Sequence, residues 1–352
     1  MSKSTQQLVG QIIIAGFRGK TVNENSDVVK YIKDYNLAGV IFYDMDLELG
    51  KGELIPGSRN IESPKQLKKL VKDLQEFSKH SLLISIDQEG GDASRLKSIY
   101  GFEKNPSWNH IGMLNNSLIT EQFSNTMASM LSHVGVNLNF APVLDLDFGK
   151  GTVISDSSRA FSEDPKIVMD NAKIFINTHK NFGVITCGKH FPGLGSASGD
   201  THEGFTDISG KWTVKDLLPF DELIQSEDLD TIMISHAYDK KLDPDYPASL
   251  SKVITTDMLK EDLGFNGVII CDDPSMRAIS DHYSLEETFE LMLNAGIDLF
   301  CLGNNLIYDE DYIPKAVDTI CNLIKSGKVK QERIEKSAEK INRLKIKYKI
   351  SE

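Results

Sequence analysis

Gly267 Val268 Ile269 Ile270 Cys271, followed at once by Asp272 Asp273, is the stretch on which the fold turns. A short run that is apolar at every position, not at alternate ones, is expected of a parallel strand buried on both faces. Runs of the same kind recur at 11–16, 38–43, 82–86, 137–143, 183–187, 229–235 and 297–302, which makes eight in all. Amphipathic stretches of helical period lie between them, among them 64–79 opened by Ser63 Pro64, 119–133, 165–181 opened by Asp164 Pro165, 214–226, 250–262 and 285–295. Eight strand-and-helix phrases without a low-complexity linker predict an α/β protein, a (β/α)8 TIM barrel, better than they predict an open doubly wound sheet. The expectation is one domain over 1–352, with the last helices, 313–326 and 331–347, packing on the barrel.

Composition narrows the range of partners. The 352 residues carry 39 Lys plus Arg against 51 Asp plus Glu, a net charge of −12, which repels phosphate backbones and anionic membrane surfaces. Neither nucleic acid nor a membrane is an expected partner. Ile12 Ile13 Ile14 Ala15 Gly16 Phe17 is too short to span a bilayer and reads as the first strand, so no secretion signal is visible. Cys187, Cys271, Cys301 and Cys321 are far apart, and three of them fall in strand-like runs, so they read as reduced thiols of a cytoplasmic protein. The sequence does not determine the oligomeric state.

In a barrel enzyme the chemistry sits where strands end. Here the third strand ends in Asp87 Gln88 Glu89 Gly90 Gly91, the fourth in Asp145, the fifth in Lys189 His190, the sixth in Ser235 His236 and the seventh in Asp272 Asp273. Ionisable groups at five strand ends would stay desolvated and uncompensated unless they met each other or a polar ligand, so convergence on one pocket is expected. After Lys189 His190 comes a segment too rich in glycine and small residues to pack itself, Phe191 Pro192 Gly193 Leu194 Gly195 Ser196 Ala197 Ser198 Gly199, ending in Asp200 Thr201 His202. It reads as a mobile loop carrying an acid/base histidine over a fixed pocket. Segment 44–60 is long for a strand-to-helix connection and reads as a solvated insertion, with an added rim loop or an oligomer contact as alternatives.

Three classes of function fit these residues. A barrel hydrolase could hold a metal through Asp200, His202, His236 and Asp272, although no His-x-His pair stands at a strand end. A non-catalytic sugar-binding barrel would keep the pocket without turnover. A glycosidase would use a strand-end carboxylate as nucleophile.

Seven segments, in order and spacing, resemble the retaining β-N-acetylhexosaminidases of glycoside hydrolase family 3. They are Asp87–Gly91 with Arg95; Asn139 Phe140 Ala141 Pro142 Val143 Leu144 Asp145; Arg159 Ala160 Phe161 Ser162 Glu163 Asp164 Pro165; Lys189–Gly193; Asp200–His202; Ser235 His236 with Pro247–Ser251; and Gly264–Met276. The resemblance covers about Leu8 to Tyr348 and implies a TIM barrel that removes terminal β-linked N-acetylglucosamine with retention. Short members of the family act in cell-wall recycling, which implies peptidoglycan fragments as substrate. No cofactor and no metal are implied.

By the same resemblance Asp272 is the nucleophile, with Asp273 its rival, and His202, oriented by Asp200, replaces the usual carboxylic acid/base. An imidazole can give and then take a proton near neutrality. Asp87, Arg95, Arg159, Lys189 and His190 hold the sugar, Asp145 and His236 support them, and Met276 and Phe191 are pocket wall or core. Two positions depart from the family pattern: Asp92 stands where members have arginine, and Leu194 where they have histidine. A β-glucosidase is disfavoured, because those relatives place a tryptophan after the nucleophile where this chain has Asp273. An N-acetylglucosamine phosphorylase, with phosphate replacing water in the second step, is a further alternative within the family.

Overall fold

A computed structural model describes residues 4–49, 53–200 and 204–351. Its centre is a closed barrel of eight parallel strands, each paired with the next and the eighth with the first. The strands are β1 (Ile13–Gly16), β2 (Gly39–Phe42), β3 (Leu83–Ile86), β4 (Leu138–Asn139), β5 (Ile185–Phe191), β6 (Thr231–Ile234), β7 (Val268–Cys271) and β8 (Leu299–Leu302). Every strand residue is buried, which is why the sequence shows continuous apolar runs where a half-exposed sheet would alternate.

The outer helices start where their caps dictate. Ser63 Oγ accepts from the Gln66 amide ahead of Pro64–Phe77, and Asp164 accepts from the Lys166 amide ahead of Pro165–Asn181. Ser284 and Glu287 form a reciprocal capping box at the start of Leu285–Ala295. Tyr312–Ser326 packs on Leu285–Ala295, and Gln331–Lys347 packs against β7. Among the described residues no helix is long and apolar enough to cross a membrane. All four cysteines are free thiols.

Segment 44–60 departs from the sequence expectation, although its residues 50–52 lie outside the described ones. Its two ends are not solvated, because Asp44 and Asp46 are buried and paired with cations from elsewhere in the chain, whereas residues 48, 49 and 53–56 between the ends are exposed. Asp44 accepts from Lys97 Nζ at 2.6 Å, and Asp46 from Arg18 Nε at 2.6 Å and Arg59 Nη1 at 3.1 Å. Arg59 is 1% exposed and reaches across the barrel mouth to the Gly303 and Asn304 carbonyls at 3.2 and 2.7 Å and to Asn305 Oδ1 at 2.7 Å. Replacing Arg59 by methionine leaves Asp46 and two carbonyls short of a donor. It should cost about 3–5 kcal/mol, read as a lower denaturation midpoint. A midpoint equal to wild type would return the segment to the role of an ornament.

The last helix is tied to the opposite end of the barrel. Lys345 is buried and its Nζ donates to the Ala38 and Ser81 carbonyls at 2.9 and 2.8 Å. Burial pushes this ammonium down to about 8.

Candidate active site

A cavity of about 300 Å³ opens at the C-terminal ends of the strands, at the small end of the range for small-molecule sites. Asp87, Arg95, Arg159, Lys189, His190, Asp200 and Asp272 all line it, so seven of the eight residues expected at the site come together. The eighth, His202, lies outside the described residues.

Lys189 and His190 are consecutive, and strict alternation along β5 would send them to opposite faces. The register of β5 against β6 shifts between Lys189 and Phe191, and this irregularity lets both side chains line the cavity. Phe191, expected as wall or core, is core: its ring meets Phe220 edge-on at 5.2 Å.

The cavity floor is an ion network. Lys189 Nζ lies 2.8 Å from Asp87 Oδ1 and 2.6 Å from Glu89 Oε1. Arg159 grips Glu89 with two parallel bonds, Nε to Oε2 at 2.6 Å and Nη2 to Oε1 at 2.8 Å. Arg95 approaches Asp87 at 3.8 Å. Three cations (Lys189, Arg159, Arg95) against two carboxylates (Asp87, Glu89) leave one positive charge, so the potential available to an ionised Asp272 is smaller than the cations alone would supply. Burial alone would raise the Glu89 carboxyl, but the Arg159 and Lys189 charges override it and hold Glu89 well below the usual carboxylate range. Glu89 stood in the quoted motif without a role. The signal that points to it is charge balance, since three cations gathered at one cavity need more than one acid.

Asp145 is a positioning group. Its Oδ2 accepts from His190 Nδ1 at 2.7 Å, and its Oδ1 accepts from the Leu194 amide at 2.6 Å. With Nδ1 donating, His190 Nε2 is left to accept from Arg159 Nη2 at 3.4 Å. His236 does not line the cavity. Its Nε2 donates to the Asp273 carbonyl at 3.0 Å, and its Nδ1 accepts from Ser249 Oγ at 2.7 Å, which removes it from the four-residue metal set. Among the described residues no three His, Cys, Asp or Glu side chains are grouped to hold a metal ion.

Asp272 and Asp273 both border the cavity, contrary to the expectation that only one would. β7 ends at Cys271, so strand alternation no longer constrains the pair. Their surroundings separate them instead. Asp273 accepts from the Ser275 amide through Oδ1 and from the Gly303 amide through Oδ2, both at 2.9 Å. Burial, only partly offset by the bonds from Ser275, pushes its carboxyl up to about 6. A group raised from 3.8 to about 6 favours the folded state when protonated, so its contribution is full below about pH 4 and is lost as pH rises through 6. Asp273→Asn should flatten stability against pH between these values, as checked by denaturant midpoints across the range. An unchanged slope would assign the titration elsewhere.

The segment after β5 also differs from expectation, since its first half is packed. Gly193 to Ala197 are buried, and Leu194 and Ala197 join a cluster with Val143, Ile154, Ala160, Ile208 and Ala237. Small residues make this close approach feasible: a Cβ on Gly195 would fall 2.1 Å from the Leu146 carbonyl oxygen.

The chain matches the family model described as glycosyl hydrolase family 3 N terminal domain over residues 4–344. A β-hexosaminidase of Nitrosomonas eutropha is 34% identical over 267 residues, 72% of this chain and 74% of that protein. Another, of Photobacterium profundum, is 33% identical over 80% of this chain and 79% of its own length. Among solved structures, a glycoside hydrolase family 3 β-N-acetylglucosaminidase of Paenibacillus superposes with a TM-score of 0.88 at 28% identity, over 99% of this chain. This chain spans 63% of that enzyme's length. A β-N-acetylhexosaminidase of Beutenbergia cavernae, at 24% identity, shares the fold with a TM-score of 0.85 over 98% of this chain and 99% of its own. With the barrel closed and the family model matched over residues 4–344, the chain belongs to glycosyl hydrolase family 3 and is kin by sequence to its β-hexosaminidases.

Proposed function

We propose that the chain is a single-domain retaining exo-β-N-acetylglucosaminidase that acts on terminal β-linked N-acetylglucosamine of peptidoglycan fragments in the cytoplasm. The observation that carries the reading is the gathering of Asp272 with Asp87, Arg95, Arg159, Lys189 and His190 at one cavity; Asp272 Oδ1 accepts from the Asp273 amide at 2.9 Å, while Asp273 is held through both oxygens by the Ser275 and Gly303 amides. Kinship with β-hexosaminidases supports the N-acetylhexosamine substrate.

In the first step an Asp272 carboxylate oxygen bonds to the anomeric carbon as the bond from that carbon to the aglycone oxygen breaks. His202 gives its proton to the departing oxygen. In the second step His202 takes a proton from water, the water oxygen bonds to the anomeric carbon, and Asp272 leaves as carboxylate. Two inversions give net retention. Asp87, Arg95, Arg159 and Lys189 offer charged partners to the sugar hydroxyls, each such bond worth about 1.5–3 kcal/mol.

Hydrolysis of an aryl β-N-acetylglucosaminide followed by proton NMR tests the reading, with β-configured N-acetylglucosamine expected first. Trapping with a fluorinated slow substrate and peptide mapping should label Asp272. An α-configured first product, a sugar phosphate formed in phosphate buffer, or a label on Asp273 would overturn it.

A further inference from the structure

Two buried polar atoms remain unused at the foot of the segment leading to Asp200. Ser196 is 2% exposed and Asp216 is 1% exposed, and neither Ser196 Oγ nor Asp216 Oδ1 has a hydrogen-bond partner among the described residues. One is a hydroxyl that can donate, the other a carboxylate oxygen that can accept. Each unpaired buried group is costly, so a complementary donor and acceptor on neighbouring elements mark a bond made in another arrangement of the chain.

The surrounding contacts place the two on one junction. Asp216 Oδ2 accepts from the Thr213 amide at 2.9 Å and from its hydroxyl at 3.1 Å, which leaves Oδ1 uncommitted. The Asp216 side chain packs on Gly193, where an added Cβ would lie 2.7 Å from Asp216 Cβ and 3.3 Å from Oδ1. Ser196 is three residues further on, inside the turn closed by the Ala197 amide on the Leu194 carbonyl at 3.0 Å. Trp212 Nε1 donates to the Pro192 carbonyl and Lys211 Nζ to Ser198 Oγ, both at 3.0 Å, so 211–216 clasps 192–198 at both ends. Burial raises the Asp216 carboxyl to about 6 against the lowering effect of the Thr213 bonds, with the nearby Asp145 charge adding to the rise.

We propose that Asp216 is a positioning residue for the glycosidase reaction, its Oδ1 accepting from the Ser196 hydroxyl in the arrangement of 193–200 that brings the acid/base residue to the aglycone oxygen. This rests on the proposed function of His202. A helix cap alone would not require the second oxygen to be held dry beside Gly193.

The test compares two substrates of the full chain: a dinitrophenyl β-N-acetylglucosaminide, whose aglycone leaves without a proton, and an alkyl one, whose aglycone needs it. Asp216→Ala and Ser196→Ala are each expected to lower kcat on the alkyl glycoside about 10-fold, with KM and inhibition by N-acetylglucosamine unchanged and little effect on the dinitrophenyl glycoside. The double variant should be no worse than either single one, because both atoms belong to one bond. Asp216→Asn, which keeps an acceptor oxygen, should recover most of the loss. Ser196→Ala touches no cap and carries the test if Asp216→Ala folds poorly. Losses that multiply in the double variant, equal losses on both substrates, or a Ser196→Ala enzyme at wild-type kcat would overturn the proposal. His202→Ala serves as reference. If it leaves alkyl-glycoside hydrolysis intact, the acid/base reading fails as well; if it abolishes that activity while the other variants do not, only the positioning role fails.

Discussion

Replacing Asp272 by alanine is expected to lower kcat on an aryl β-N-acetylglucosaminide by about 10⁴-fold, or about 5.4 kcal/mol in the barrier. The loss should fall on kcat, because in the proposed function the sugar is gripped mainly by Asp87, Arg95, Arg159 and Lys189, which line the cavity and which the substitution leaves in place. Removing the carboxylate also opens one face of the anomeric carbon. Added azide should bond there as the aryloxide departs, giving an α-glycosyl azide and restoring part of the rate. Asp273→Ala is expected to retain this chemistry in whatever fraction folds. If Asp272→Ala keeps near-wild-type kcat while Asp273→Ala is folded and inactive, the roles of the two carboxylates are reversed.

Glu89→Ala should give the largest loss of stability. Glu89 is 2% exposed and is the shared partner of Arg159 and Lys189, so its removal strands Arg159 and leaves the buried Lys189 with Asp87 alone. Breaking such a pair costs about 3–5 kcal/mol. In a chain of this size that is a fall in melting temperature of about 4–7 °C. The acid limb supplies an independent check. Because the folded carboxyl titrates below its ordinary 4.5, its contribution is full above that value and is lost as pH falls further toward the folded value. The variant should therefore lose stability less steeply than wild type below pH 4.5. A melting temperature within a degree of wild type, or parallel acid limbs, would mean that the network contributes nothing net.

Much of this was legible in the sequence, and the part that was not has a physical cause. Continuous apolar runs located all eight strands, because burial on both faces leaves no room for alternation. Helices with strong caps, such as Pro165–Asn181 and Leu285–Ala295, fell at their expected bounds. The short helices Thr5–Gly10 and Trp108–Leu114 span too few turns to show a period. The ends of segment 44–60 depart from a solvated insertion because acidic residues look solvated until their partners, Arg18, Arg59 and Lys97, are brought together with them in the fold. In the glycine-rich stretch after β5, Gly193 to Ala197 are packed where a loose loop was expected, since small side chains serve close packing as readily as mobility. Pairings such as Glu89 with Arg159, 70 residues apart, leave no local trace at all.

The two ends of the barrel are tied by partners made at very different moments of synthesis. Arg59 waits for the Gly303 carbonyl, 244 positions later, and the Ala38 carbonyl waits 307 positions for Lys345. At about 5–20 residues per second of translation, the second interval lasts roughly 15–60 s. For most of it the nascent amino-terminal quarter carries open strand edges and an Arg59 guanidinium that has Asp46 but not yet its distant carbonyls. Ribosome-associated holding factors should therefore matter more for the yield of this protein than its finished stability does, and a transcript broken before codon 345 should give a product marked for proteolysis.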